Sequence, residues 1–140
     1  MRRVGVLSLL CMLLCVGCMA PHNAEMASVD ARGWNEPARI VVENDDTLTL
    51  RKLSIALRYN SSFNELQLPL SIRVTAPDGR IFEEKQCFPL NGERSTLVSE
   101  VVSLPYRDEV QLAMRGAYTF EFQPEAELKG VEAIGIEIEK

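Results

Sequence analysis

Histidine occurs once in this chain of 140 residues, at His22. A Ser-His-Asp or Cys-His catalytic arrangement would have to use that ring, which sits in a stretch with no folding pattern. Cysteine is nearly as scarce. Cys11, Cys15 and Cys18 cluster near the start, so Cys87 is alone in the body of the chain. One cysteine makes no intrachain disulfide, and with no histidine nearby it cannot complete a zinc site of three or four ligands. Secreted domains often lean on disulfides; this one depends on its core. No Gly-rich phosphate loop or dinucleotide fingerprint is present, so no cofactor is implied. Positive charge is in deficit, with 15 Lys and Arg against 20 Asp and Glu. That balance argues against nucleic acid and against adhesion to anionic headgroups. Long apolar runs are missing too. Residues 4–16, VGVLSLLCMLLCV, carry no charge but fall short of the ~20 residues that span a bilayer.

That short run is informative for what surrounds it. Arg2 and Arg3 precede it, and Gly17-Cys18 follows it. A positive start, an apolar middle and a small residue at the cut make a secretory signal over 1–17. A cysteine just after the cut makes it the lipoprotein kind. The Cys18 thiol would accept a diacylglyceryl group, and cleavage would free its amino group for a further acyl chain. Cys15 stands where a lipobox usually has leucine. Cys11 and Cys15 are poorer sites, because each follows a bulky leucine, Leu10 or Leu14. Two or more acyl chains hold a protein firmly, whereas one binds marginally. Loss of Arg2 and Arg3 moves the formal charge from −5 to −7.

After Cys18 the pattern predicts a flexible tether over 18–37 and one folded domain over 38–140, a size suited to a single core. Residues 19–35 are polar and small, with Pro21 and no periodicity. Period-two alternation then begins. Leu53, Ile55, Leu57 and Tyr59 fall on every second position, as do Leu66, Leu68, Leu70, Ile72 and Val74. Pro69 in the second set predicts an edge strand or a bulge. Pro77-Asp78-Gly79 predicts a tight turn into a returning strand over 81–88. Further strands are expected over 40–42, 97–104 (ending at Pro105), 110–114, 118–122 and 134–138. About eight short alternating strands and no convincing helix indicate an all-β fold, a single antiparallel β-sandwich. A closed barrel is the alternative.

Few residues suggest chemistry. Cys87 lies in a strand-like stretch and reads as a small buried hydrophobe. Glu83 and Glu84 would point to opposite faces of a strand, so they would not share a site. Asn44-Asp45-Asp46 and Asp78-Gly79 could offer calcium oxygens, but turn chemistry accounts for them better. Nothing sets two carboxylates across a cleft as a glycosidase requires. Tyr118, Phe120 and Phe122 alternate as a core face does. Trp34, Tyr59 and Phe63 are the candidate contact residues, with Trp34 and Phe63 in loop-like segments.

The order of these features resembles a known family. A lipobox is followed by Gly33-Trp34-Asn35, Arg58-Tyr59-Asn60 and Phe63-Asn64, then by Pro77-Asp78-Gly79. A Gly116-Ala117-Tyr118-Thr119-Phe120 strand comes next. The chain ends on Gly130-Val131-Glu132-Ala133-Ile134-Gly135-Ile136-Glu137-Ile138-Glu139-Lys140. This is similar to the gliding-motility lipoprotein GldH family of Bacteroidetes. The family's Trp-containing, Gly-rich middle segment has no counterpart in 91–96. The resemblance implies an envelope lipoprotein, not an enzyme, that supports gliding motility or the associated secretion machinery through other envelope proteins. Met19 rather than Asp after Cys18, and a single acid in 19–25, point to the periplasmic face of the outer membrane. The alternative is a lipid-anchored ligand-binding module, for instance for glycans, using Trp34, Tyr59 or Phe63.

Overall fold

The computed structural model describes residues 24–90 and 99–140. Cys18, His22 and the loop over 91–96 lie outside the described residues. Eight strands follow one another: β1 (Ala24–Ser28), β2 (Ala38–Asn44), β3 (Leu50–Tyr59), β4 (Gln67–Thr75), β5 (Ile81–Pro89), β6 (Glu100–Gln111), β7 (Gly116–Pro124) and β8 (Val131–Glu139). They form two four-stranded sheets, in the orders β1-β8-β3-β6 and β2-β7-β4-β5. All pairings are antiparallel, and the two sheets pack face to face as a β-sandwich.

Alternation explains the core. Ile134 and Ile136 of β8 stand beside Leu57 and Ile55 of β3, and all four are fully buried. Leu68, Leu70 and Ile72 of β4 and Phe120 and Phe122 of β7 face them from the other sheet. Antiparallel connections gather at two ends. The upper end carries the β1–β2, β3–β4 and β7–β8 connections. The lower end carries the β2–β3, β4–β5 and β6–β7 connections, with the start of β1 and the finish of β8.

Three sequence expectations are corrected. The tether over 18–37 contains structure: β1 pairs with β8 from Ala24↔Glu137 to Ser28↔Ala133, and Trp34 bridges Leu128. The segment AEMAS has no β-branched residue and is too short to show a period. The open edge of β8 supplies what its sequence does not. Second, the strands expected over 97–104 and 110–114 are one strand, β6, which runs through Pro105. β6 lies at the edge of its sheet. Its pairing shifts register around Leu53, and Glu109 takes a positive φ of 52°. A proline is tolerated at such an edge and bulge, where no ladder donor is missed. Third, β4 is interior rather than an edge. Its pairing with β7 begins at Leu70↔Pro124, and the Pro69 carbonyl accepts from the Glu125 amide at 3.3 Å. Pro69 therefore turns its missing N–H toward the place where β7 runs out.

Candidate functional site

The upper end holds the three aromatics expected to make contacts, and it buries them. Trp34 is 2 %, Tyr59 6 % and Phe63 2 % exposed. The backbone of Trp34 exchanges hydrogen bonds of 2.8 and 3.0 Å with Leu128, and its indole Nε1 donates to the Glu36 carbonyl at 2.6 Å. The Tyr59 and Phe63 rings lie 5.4 Å apart, and the Tyr59 hydroxyl donates to Glu100 at 3.1 Å. Irregular composition marked the segments of Trp34 and Phe63 as loops, and loops are commonly surface. Here they fold across the open end of the sandwich, so their aromatics seal the core. The expected contact set Trp34, Tyr59 and Phe63 is thus corrected to a structural cluster. The ligand-binding alternative loses the residues on which it stood.

Gly130 ties this end together. Its amide donates to the Ala31 carbonyl and its carbonyl accepts from the Asn60 amide, both at 2.8 Å. With φ at +84°, it joins the β1–β2, β3–β4 and β7–β8 connections at one point.

Cys87 is also corrected. It is exposed on the outer face of β5, and its thiol donates to the Gln67 side chain at 3.0 Å. Strand alternation was legible there, but β5 is an edge strand whose solvent side bears Cys87. A thiol reagent should label Cys87 in the folded protein as fast as in urea. Cys87→Ala should shift stability by no more than about 0.5 kcal/mol, as surface changes do. Protection of the thiol until unfolding would contradict this placement.

The outer face of the β2-β7-β4-β5 sheet is polar and internally matched. Arg39, Glu121, Arg73 and Glu83 form one row across its four strands. Arg73 pairs with Glu83 and lies 3.8 Å from Glu121. An open groove of about 400 Å³ crosses this row, bordered by Pro37, Ser71, Lys85 and Gln123. Its charges alternate and neutralise one another, so it offers neither an activated carboxylate nor a free cationic cradle. Asp46 and Asp78 act as turn residues. Asp46 accepts from the Thr49 hydroxyl at 2.5 Å and from the Thr49 and Leu48 amides. These bonds, the hydroxyl first, hold its carboxyl well below the usual range. The Arg80 side chain and amide do the same for Asp78.

At the seam between β5 and β6, Glu84 points inward and accepts from Tyr106 and Arg107. Burial pushes its carboxyl up, but these bonds outweigh it and leave it below the ordinary value. Burial and the adjacent carboxylate push the Tyr106 phenol up. Tyr106 also meets the Phe88 ring edge-on at 6.1 Å. An inward charge at a sheet edge guards against pairing with another chain. Among the described residues no group of three or more His, Cys, Asp or Glu could hold a metal.

The lower end is different in character. Leu48 is 82 % exposed at the tip of the β2–β3 connection, and Leu50, Ile81 and Phe82 are each more than half exposed nearby in the fold. Leu48 lies in the connection itself, whereas Leu50 opens β3 and Ile81 and Phe82 open β5, within the strand expected over 81–88.

Comparison with known proteins adds three findings. No curated protein matches the chain. Among solved structures, chains of infectious bursal disease virus, Gx and Gt strains, are similar at 9 % and 12 % identity. Their TM-scores are 0.39 and 0.37, and they cover 81 % and 85 % of this chain. The match spans only 31 % and 28 % of those viral chains. The family model described as GldH lipoprotein matches residues 22–138. That range takes in the whole sandwich from β1 into the end of β8, and the chain belongs to the GldH lipoprotein family.

Proposed function

We propose that this protein is a non-enzymatic lipoprotein of the cell envelope, acylated at Cys18 and held at the periplasmic face of the outer membrane. It supports gliding motility or the associated secretion machinery by contacting other envelope proteins. The family match over 22–138 is the observation that carries this reading.

Deletion of the gene tests the role. Spreading on agar and the profile of secreted proteins should both fall, and the intact gene should restore them. A deletion strain with normal spreading and secretion would refute the role. Cys18→Ser tests the anchor: fatty-acid labelling should disappear and the protein should leave the membrane fraction. Labelling that survives the substitution would move the anchor elsewhere. Protease added to intact cells should spare the domain; digestion before the outer membrane is broken would place it outside.

A further inference from the structure

Rows of side chains cross the outer face of the β2-β7-β4-β5 sheet, each row taking one residue from a strand. The middle row is Arg39, Glu121, Arg73 and Glu83. Below it lie Val41, Thr119, Thr75 and Ile81, with Val41 45 % and Ile81 60 % exposed. Above it Gln123, Ser71 and Lys85 border the open groove. The middle row alternates plus, minus, plus, minus over the four strands, so turning it end for end reverses every sign. Lay two such faces together about a twofold axis close to the strand direction. Arg39 then meets Glu83 of the second copy and Glu121 meets its Arg73, and each contact occurs twice. The same rotation sets Val41 on the second copy's Ile81, Thr119 on its Thr75 and Gln123 on its Ser71. A twofold across the strands would instead stack Arg39 on Arg39 and Glu83 on Glu83, which opposes like charges.

We propose that two copies of this domain pair through this face, with their strands running the same way. Two independent sets of residues agree on the rotation. The charges of the middle row require it, and it also brings together Val41 and Ile81, which stand exposed on opposite edges of one face. The remaining charges do not oppose the contact. Lys85 lies 3.6 Å from Glu125, and Asp78 pairs with Arg80. Glu43, exposed two residues beyond Val41, comes opposite the second copy's Asp78–Arg80 turn. Contact therefore buries charges beside opposite charges. The apolar pairs draw the faces together, and the charges fix their orientation. Four strands ~4.8 Å apart and about seven residues long at ~3.4 Å make a face of roughly 450 Å², about 900 Å² for the pair. Lasting complexes bury about 1,200–2,000 Å², so the dimer forms where copies are concentrated in one membrane. Its strength therefore rests on acylation of Cys18. Both chains point the same way along their strands, so two anchored copies meet without either turning over.

Two variants of the full chain, Val41→Cys and Ile81→Cys, test the pairing in a Cys87→Ala background. Both positions are exposed, so both variants fold. They are expressed together under distinguishable tags, and a membrane-permeant oxidant is added to the cells. A disulfide-linked product joining the two tags should form. Its yield should exceed that of either variant alone by about tenfold, because like positions stand on opposite edges, ~14 Å apart over three strand spacings. Arg39→Glu in both copies should cut the product severalfold, and adding Glu83→Arg should restore it. The double reversal sets like charges side by side within each sheet, so restoration can come only from pairing between copies. No mixed product, an equal yield from either variant alone, or no restoration by the double reversal would overturn the pairing. Fractionation of the same cells reads the anchor separately. Protein outside the membrane fraction would refute acylation, and the membrane-dependent dimer with it.

Discussion

A Gly130→Ala variant should lose about 3 kcal/mol or more of stability, which for a domain of this size lowers the melting temperature by on the order of 10–20 °C. Two effects combine. A left-handed φ of +84° is unfavourable for any residue with a Cβ. The added Cβ would also lie 2.7 Å from the Ser62 carbonyl carbon and 2.9 Å from Asn60 Oδ1, and closer still to the Phe63 amide nitrogen. Backbone atoms cannot swing aside as the end of a side chain can. Relief would require the three connections that meet at Gly130 to separate, releasing Phe63 and the hydrogen bonds to Asn60 and Ala31. Gly79→Ala is the control. Its φ is +88°, but nothing lies within 4 Å of the added Cβ, so it should cost only about 1 kcal/mol of backbone strain. Thermal melts of the two variants separate strain from collision. Equal losses would show that the close approach at Gly130 contributes nothing.

Deleting residues 133–140 should abolish folding. β8 is an interior strand with β1 on one side and β3 on the other, so its loss breaks two ladders. Ile134 and Ile136 are 0 % and 1 % exposed. At about 1.5–3 kcal/mol for each buried side chain, these two account for much of a domain's margin of about 5–15 kcal/mol. Among the described residues no disulfide offsets the loss. Deletion through Ser28 makes an instructive pair. A pure tether would tolerate it without change, whereas β1 covers the edge of β8 and lies against Gly135, where an added Cβ would sit 2.7 Å from Met26. That truncation should fold with a clearly lowered melting temperature and a greater tendency to aggregate through the bared edge. Truncation through Ser28 that melts like the longer chain would show β1 to be dispensable.

These two truncations mark what was legible beforehand. β4 announced itself because apolar and polar residues alternate over nine positions, and β8 because Ile134, Ile136 and Ile138 alternate with Gly135, Glu137 and Glu139. The Pro77-Asp78-Gly79 turn was equally plain, since each residue has its own conformational reason to be there. β1 was not legible, because its strand character comes from the partner edge and not from its own five residues. Pro105 misled for the opposite reason: proline ends a strand only where a donor is needed, and an edge with a bulge needs none there. Trp34 and Phe63 show a third kind of miss. Composition identifies irregular backbone, but whether a loop covers the core or leaves it is settled by contacts far away in sequence. The exposure of Leu48 and Leu50 was not legible either, since Thr47-Leu48-Thr49-Leu50 alternates as a half-buried strand would, and alternation does not tell which residues lie beyond the covered part of a sheet.

The pairing of β1 with β8 also sets the timetable of folding. Ala24 meets Glu137, so nearly the whole described chain must be on hand before its first strand has a place to settle. Contacts that join such distant residues close slowly, because the loop entropy is lost before any of them forms. Until then β8 keeps an open edge on the side away from β3. The devices at the other margin, Pro105 and the Glu109 bulge on β6 and the inward Glu84 on β5, then act as insurance during that interval, keeping two of the edges from templating a neighbour while the last strand arrives.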